Sequence, residues 1–303
     1  MNRRKFVKDI GIGSLFMGMG LPQLIGQERA RDMVKLTILH TNDFHSRIDP
    51  FEDGKYKGKG GVAARASLIN KVRQAEEYVL LLDAGDIFQG TPYFNFFGGE
   101  LEFKAMSAMQ YDAATIGNHD FDAGIEGLDK QLPHANFPFL IANYDFSDTI
   151  MNGKTHLYKV FRKGPLKIGV SGVGIELDGL VPKDLYKATR YMDPIEKVNE
   201  VALQLKEEEG CDLVIILSHL GYKYKGDLVS DHVLAKNTSN VDIIIGGHTH
   251  TFLDRPEVLK NKKGEAVLIN QVGWAGIMLG KLEVYFQRGS ANKCYACQPM
   301  LIE

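Results

Sequence analysis

The chain is poor in cysteine, with three in 303 residues, which is too few for a disulfide scaffold. Cys211 stands just before an apolar run, a position that predicts a buried free thiol. Cys294 and Cys297 form a lone C-x-x-C without a second pair. A single pair gives little support for a metal or redox site, so we expect either a disulfide or two idle thiols there.

An excess of charge of one sign is also missing. Lysine and arginine together number 36 and aspartate and glutamate 38, which gives a formal net charge of -2. Domains that bind the nucleic-acid backbone by bulk charge are strongly basic, so no nucleic-acid partner is expected. The hydrophobic content of 44% over 303 residues is enough for a large globular core.

Long apolar runs are scarce too. Residues 10–25 carry no charge but include four glycines, so this run is too short and too glycine-rich for a stable membrane span. As a core helix it would have to accept those glycines at about 1 kcal/mol each. The run follows Arg3-Arg4, and together they resemble a twin-arginine export signal. We therefore expect residues 1–27 to be an export signal and the mature chain to be periplasmic, with an N-terminal membrane anchor if the signal stays uncleaved.

After this segment, short β-branched runs alternate with helical patterns, which predicts βα units. Strands are expected at 36–39, 79–82, 113–116, 139–142, 168–173, 213–217, 243–245, 266–269 and 278–286. Apolar residues from Val62 to Val72 recur at helical spacing, and Asp193-Pro194 is a good start for a helix that ends at Gly210. No linker divides the chain, so the sequence predicts one α/β domain over residues 30–303.

Five of the expected strands are followed closely by aspartate, asparagine or histidine. These residues are Asp43 and His45, then Asp86, then Asn118, His119 and Asp122, then His219, and finally His248 and His250. Carboxyl ends of neighbouring parallel strands lie about 4.8 Å apart, so these side chains can converge at one edge. Imidazoles and carboxylates without thiolates suit Zn, Mn or Fe. Because the set is too large for one tetrahedral ion, we expect two divalent metal ions that share a carboxylate.

The motifs stand in a recognisable order. They are D-x-H from Asp43, G-D-x-x-x-G from Gly85, G-N-H-D-F-D from Gly117, S-H from Ser218 and G-G-H-T-H from Gly246. This order resembles that of the calcineurin-like metallophosphoesterases, and most closely the catalytic N-terminal domain of their 5′-nucleotidase branch, over residues 34–286. The resemblance implies a four-layer α/β/β/α sandwich and the hydrolysis of small phosphate monoesters, nucleotides above all.

The resemblance also implies a role for each motif residue. One ion would be held by Asp43, His45, Asp86 and His250, and the other by Asp86, Asn118, His219 and His248, with Asp86 bridging. His119 would stabilise charge on the phosphoryl group or protonate the leaving oxygen, and Asp122 would fix its ring and tautomer. A hydroxide between the metals would attack phosphorus in line. Asp120 stands where many relatives have glutamate and receives no role.

Several alternatives stay open on the sequence. Exported 5′-nucleotidases typically continue into a second domain that recognises the base, and the residues of that domain are missing here. We therefore expect that a separate chain supplies substrate binding. A cyclic-nucleotide phosphodiesterase, a thiosulfohydrolase-like enzyme and a non-catalytic metal-binding protein are the other possibilities, although the intact His119 and Asp122 pair speaks against the last.

The remaining histidines and one aromatic run receive structural interpretations. His40 lies outside the D-x-H motif and is expected to be structural. His134, His156 and His232 are expected at the surface. The run from Tyr93 to Phe97 follows the Asp86 loop and is expected to serve mainly in packing.

Overall fold

The computed structural model describes residues 33–226, 228–287 and 293–303, and the expected export signal lies outside them. The chain divides into two compact units. Among the described residues, the larger comprises those within 36–283 and 296–303, and the smaller comprises 33–35, 284–287 and 293–295. All residues expected to bind metal or to act in catalysis belong to the larger unit. Within the described ranges, no helix has both the length and the apolar character needed to cross a membrane.

The described residues form the following strands and α-helices. The strands are β1 (Met33–Thr41), β2 (Val79–Asp83), β3 (Ala113–Ala114), β4 (Tyr144–Asp145), β5 (Tyr158–Lys163), β6 (Leu166–Gly174), β7 (Arg190–Tyr191), β8 (Leu213–His219), β9 (Ile243–Gly246), β10 (Glu257–Lys260), β11 (Ala266–Asn270), β12 (Met278–Gln287), β13 (Lys293–Cys297) and β14 (Met300–Leu301). The helices are α1 (Val62–Ala75), α2 (Pro92–Phe97), α3 (Glu100–Ala108), α4 (Gly124–Gln131), α5 (Lys183–Tyr186), α6 (Pro194–Leu203) and α7 (Asp231–Asn237).

Two larger sheets carry the fold. The first has the strand order β13-β12-β1-β2-β3 with β14 paired to β12, and the second has the order β10-β11-β9-β8-β6-β5. Strands β1, β2 and β3 run parallel to one another, and so do β6, β8, β9 and β11. Parallel strands present their carboxyl ends at the same edge of a sheet. The strand ends that carry the motifs therefore lie at the carboxyl edges of both sheets.

Helices cover the two sheets through separate apolar clusters. In the first cluster, Ile69 of α1 and Phe103 of α3 pack with Leu81 of β2. In the second, Val198 of α6 and Leu234 of α7 pack with the strands of the second sheet. The predicted α/β/β/α fold is confirmed.

Helix α6 begins where the sequence predicts. The Asp193 side chain accepts hydrogen bonds from the backbone N–H groups of Ile195 and Glu196, which satisfies two of the free donors at the helix start. The helix continues through a π-helical stretch, Gln204–Glu208, and ends at Gly210, whose φ is +62°. A left-handed glycine is the usual way to end a helix, so both expected ends are confirmed.

One expected strand is absent, and other strands were not predicted. Residues 139–142 form only isolated bridges, at Phe139 and Leu140, instead of a strand. The antiparallel strands β5 and β10 were not predicted. Each is an edge strand with alternating or partial exposure, so charged residues interrupt the apolar run that marks the buried strands.

Candidate metal centre

The chain turns sharply at the strand ends that carry the motifs. Asp43, His45, Asp86, His248 and His250 all have positive φ values, between 49° and 71°. Residues with a Cβ rarely adopt this left-handed region. Backbone hydrogen bonds hold the first two loops in it, because Asp43 N–H donates to Gly85 at 2.9 Å and His45 N–H donates to Asp86 at 3.1 Å. The loops after β1 and β2 are thus fixed against each other.

Two glycines allow the loops to approach closely. A Cβ on Gly117 would lie 2.1 Å from Oδ1 of Asp86, and a Cβ on Gly247 would lie 2.9 Å from Nδ1 of His219. Both separations are shorter than real Cβ contacts, so a larger residue would push a motif side chain out of place.

The side chains converge into two groups. Ligand atoms of Asp43, His45 and His250 lie within 4.8 Å of one another, and the same holds for Asp86, His219 and His248. Oδ2 of Asp86 lies 3.1 Å from Nε2 of His219 and 3.9 Å from Nε2 of His45, so this carboxylate stands between the groups. Oδ1 of Asn118 lies 2.8 Å from Nδ1 of His248. The structure therefore brings together all seven residues expected to bind metal.

The protonation of two rings shows that the site suits cations. Nδ1 of His219 lies 2.7 Å from the Ala84 carbonyl, and Nδ1 of His45 lies 3.3 Å from the Phe88 carbonyl. A carbonyl only accepts, so each Nδ1 donates a hydrogen bond, and the Nε2 atoms are left to face the carboxylates. The buried Nε2 of His219 has no partner of hydrogen-bond geometry among the described residues. A divalent cation placed among these atoms would satisfy them, so the residues fit a metal.

The histidines of the site differ in protonation state, which affects how each would bind a cation. Burial lowers the pKa of His45, and it lowers that of His248 to about 4, so both rings are neutral near pH 7. Burial also acts to lower the pKa of His219, but the Asp86 carboxylate outweighs it and raises the value to about 10. Because a metal ion binds the neutral imidazole, an ion bound between His219 and Asp86 would have to displace a proton from that ring.

His119 and Asp122 lie beside this centre. Nδ1 of His119 lies 2.8 Å from Oδ2 of Asp122, and this hydrogen bond raises the pKa of the His119 ring. The backbone N–H of His119 donates to Oδ1 of Asp86 at 2.8 Å. The ring centroid is 5.3 Å from that of His45, and 39% of the His119 side chain is exposed. The pair therefore faces solvent at the edge of the metal ligands.

Asp120 was given no role on the sequence, and the structure shows that it ties two loops together. Its buried carboxylate accepts hydrogen bonds from four backbone N–H groups, those of Gly117 at 2.8 Å, Ile87 at 2.9 Å, Phe88 at 3.1 Å and Asp86 at 3.2 Å. Burial raises its pKa to about 7. These partners are backbone groups, which no pattern of side chains in the sequence reveals.

Asn42 and Gln271 support the other side of the centre and were also missed. Nδ2 of Asn42 donates to Oδ2 of Asp43 at 2.6 Å, and its Oδ1 accepts from Val272 N–H at 3.0 Å. Nε2 of Gln271 donates to the Gly247 carbonyl at 2.5 Å. Groups of this kind orient metal ligands from outside the coordination shell.

The histidines outside the motifs behave differently from one another. His40 is fully buried, with Nε2 2.9 Å from Nδ2 of Asn270, and burial lowers its pKa to about 3, which agrees with a structural role. The prediction for His232 was wrong. It is 7% exposed, and its Nε2 lies 2.6 Å from Oε2 of Glu257. His156 is exposed and His134 is half-buried.

The cysteines and the aromatic run complete the comparison with the sequence. Cys211 is a buried free thiol, as predicted, and both Cys294 and Cys297 are free. In the aromatic run, Phe94 packs in the core, whereas Phe96 is 82% exposed. The packing role holds for only part of this run.

Comparison with known proteins agrees with this geometry. Residues 36–252 match the calcineurin-like phosphoesterase family, which is more than half of the chain. The chain belongs to this family. It is 36% identical over 274 residues to the snake venom 5′-nucleotidase of Crotalus adamanteus, covering 83% of this chain and 45% of that protein. It is 38% identical over 253 residues to the 5′-nucleotidase of Vibrio vulnificus, covering 77% of this chain and 44% of that protein.

A solved structure gives the same result. The 5′-nucleotidase precursor from Thermus thermophilus superimposes on this chain with a TM-score of 0.80 at 32% identity. The match covers 89% of this chain and 55% of that one. The resemblance to the 5′-nucleotidase branch is thus confirmed. The chain spans about half the length of these relatives.

Proposed function

We propose that this chain is a dinuclear metal-dependent phosphatase that hydrolyses small phosphate monoesters, with nucleotides as the leading substrate class. The observation that carries this proposal is the position of Asp86. Its carboxylate lies between two groups of candidate ligands, and it accepts the backbone N–H of His119. One side chain thus connects both metal positions with the residue expected to act on the phosphoryl group.

We assign the ligands by these two groups. Asp43, His45, Asp86 and His250 hold one ion, and Asp86, Asn118, His219 and His248 hold the other. When bound, the two ions would activate water and neutralise charge on the phosphoryl oxygens. Zn, Mn and Fe all suit such a nitrogen and oxygen shell.

His119 acts on the substrate in this proposal. The Asp122 carboxylate accepts a hydrogen bond from Nδ1–H and holds the ring, which leaves Nε2 to contact the phosphoryl group or to protonate the leaving oxygen. The higher pKa that the Asp122 bond gives His119 keeps more of the ring in the protonated, acidic form near neutral pH. The positively charged His119 ring then attracts the negatively charged phosphoryl group.

The wider setting is proposed on the same basis. Residues 1–27 would direct export to the periplasm, and residues 30–303 would form the catalytic domain. The names of the relatives, which are 5′-nucleotidases, favour nucleotides. A separate chain that contributes substrate binding stays a prediction, and millimolar KM values for nucleotides that fall when such a partner is added would support it.

Two substitutions test the roles. His119→Ala should lower kcat by about 10²-fold or more while metal content stays near that of the unchanged protein, because His119 is not a ligand. Asp86→Ala should lower the metal content itself. The readouts are elemental analysis and phosphate release from a panel of nucleotides and other monoesters. His156→Ala, at an exposed histidine outside the centre, is the matched control. Loss of metal from His119→Ala would contradict the assignment.

A further inference from the structure

A cavity of about 600 Å³ adjoins the candidate metal centre at His248. Most of its lining comes from segments at the carboxyl edge of the second sheet. Glu176 and Asp178 follow the end of β6, Tyr224 follows the end of β8, and Tyr191 lies on β7. The cavity thus opens at the same edge as the metal ligands and includes one of them, His248, in its wall.

The lining offers apolar and aromatic surface. Leu180 and Leu228 both line the cavity and are 51% and 67% exposed. Tyr191 and Tyr224 add two aromatic rings. Pockets of about 300–1,000 Å³ with mostly apolar walls and a few polar groups are typical of small-molecule sites. This surface suits a ring-sized organic group.

The acidic residues of the lining are all carboxylates. Glu176, Asp178 and Asp193 contribute carboxylates, and no lysine or arginine occurs among the described residues of the lining. Burial raises the pKa of Tyr191, and the charges of Glu176 and Asp193 raise it further, so both carboxylates act on that hydroxyl. Carboxylates accept hydrogen bonds from hydroxyl and amino groups and repel phosphate.

We propose that this cavity receives the organic leaving group of the ester, and that it selects an uncharged, ring-sized group with hydroxyl or amino donors, of the nucleoside class, over one that carries a second phosphate. This inference rests on the proposed phosphatase function. The phosphate to be cleaved would lie at the metal ligands, and His248 would mark the boundary between that phosphate and the cavity. The three carboxylates would then determine which esters are cleaved.

A matched pair of substrates tests this selection. Adenosine 5′-monophosphate and adenosine 3′,5′-bisphosphate differ only by a phosphate on the leaving group. Chromatography of the product of 5′-phosphate release, which is adenosine from the monophosphate and adenosine 3′-monophosphate from the bisphosphate, gives kcat/KM for each. We expect the unchanged protein to prefer the monophosphate by about tenfold or more, and Glu176→Gln combined with Asp178→Asn to reduce that preference by about three- to tenfold.

Controls separate this inference from the function on which it rests. Glu208→Gln removes an exposed carboxylate outside the lining and should keep the preference of the unchanged protein. Leu180→Ala should raise the KM for the monophosphate, and it gives a second test if the double variant does not fold. Failure to hydrolyse p-nitrophenyl phosphate, which needs no large pocket, would refute the proposed function and this inference with it. Hydrolysis of that ester with no preference within the pair, or with a preference that the double variant leaves intact, would overturn the cavity proposal alone.

Discussion

Trp274 lies flat against His250, with 5.5 Å between the ring centroids and 7° between the ring planes. The side chain of His250 is 39% exposed, so this stacking fixes a ring that is open to solvent on its other side. The next residue, Ala275, donates its backbone N–H to the Asp43 carbonyl at 2.7 Å. One short loop therefore positions two candidate ligands of the same ion.

Trp274→Ala should weaken metal binding at this position by about two- to tenfold, because an aromatic pair of this kind contributes about 0.5–1.5 kcal/mol. Calorimetric metal titration should show one of two ions bound less tightly, with stoichiometry unchanged at saturation. Trp274→Phe keeps a flat ring and should retain most of the affinity. Equal metal affinity in Trp274→Ala and the unchanged protein would show that the stacking does not hold the ligand.

Asp120→Ala should lower the free energy of unfolding by about 2–4 kcal/mol, since it leaves buried backbone N–H groups without an acceptor. It should also reduce metal content, because the freed loops carry Asp86 and Asn118. Urea unfolding and elemental analysis are the two measurements. Asp120→Asn keeps one acceptor oxygen, so its free energy of unfolding and its metal content should lie between those of Asp120→Ala and the unchanged protein. A stable, fully metal-loaded Asp120→Ala protein would contradict the role of Asp120 in holding the two loops together.

The buried ring of His40 predicts a loss of stability in acid. Burial lowers its pKa to about 3, against an ordinary value of 6.5, so below pH 6.5 the unfolded chain takes up a proton that the folded chain excludes. The contribution of His40 is therefore present above pH 6.5 and is lost as the pH falls toward 3. The slope approaches about 1.4 kcal/mol per pH unit for one proton.

Urea unfolding at pH 5 and pH 7 measures this effect. His40→Asn should be less stable at pH 7 because it loses packing, yet it should lose less stability than the unchanged protein between pH 7 and pH 5. His156→Asn, which removes an exposed histidine, is the matched control. Parallel losses of stability in all three proteins would exclude His40 as the source.

Asp122→Asn should move the alkaline limb of the kcat profile to lower pH. The hydrogen bond from Asp122 raises the pKa of His119, and the amide variant loses the charge that favours the protonated ring. If protonated His119 acts as the acid, activity falls as the pH rises through its pKa. In the variant, this decline should begin at a lower pH. Steady-state rates between pH 5 and pH 9 give the profile. A limb that stays in place or moves upward would contradict the assigned role.

The sequence indicated which side chains would converge because each candidate ligand lies at or after the end of a buried strand, and the position of a strand end can be read from its apolar run. It did not indicate Asp120 or Trp274, whose partners are backbone amides and a ring 24 residues earlier in the chain. His232 was misplaced for the same reason, since Glu257, its partner, lies on another element. Local sequence patterns predict burial along a single helix or strand, whereas these contacts depend on which helices, strands and loops pack together.

The left-handed backbone at Asp43, His45, Asp86, His248 and His250 carries a cost in stability. Each such residue is typically held at about 1–3 kcal/mol above a relaxed conformation, somewhat less for aspartate. Glycine adopts this region without strain, but glycine at any of the five turns would also remove a candidate metal ligand. At these turns the residue that suits the backbone differs from the residue that suits the chemistry, so stability and activity make opposing demands on the same five positions.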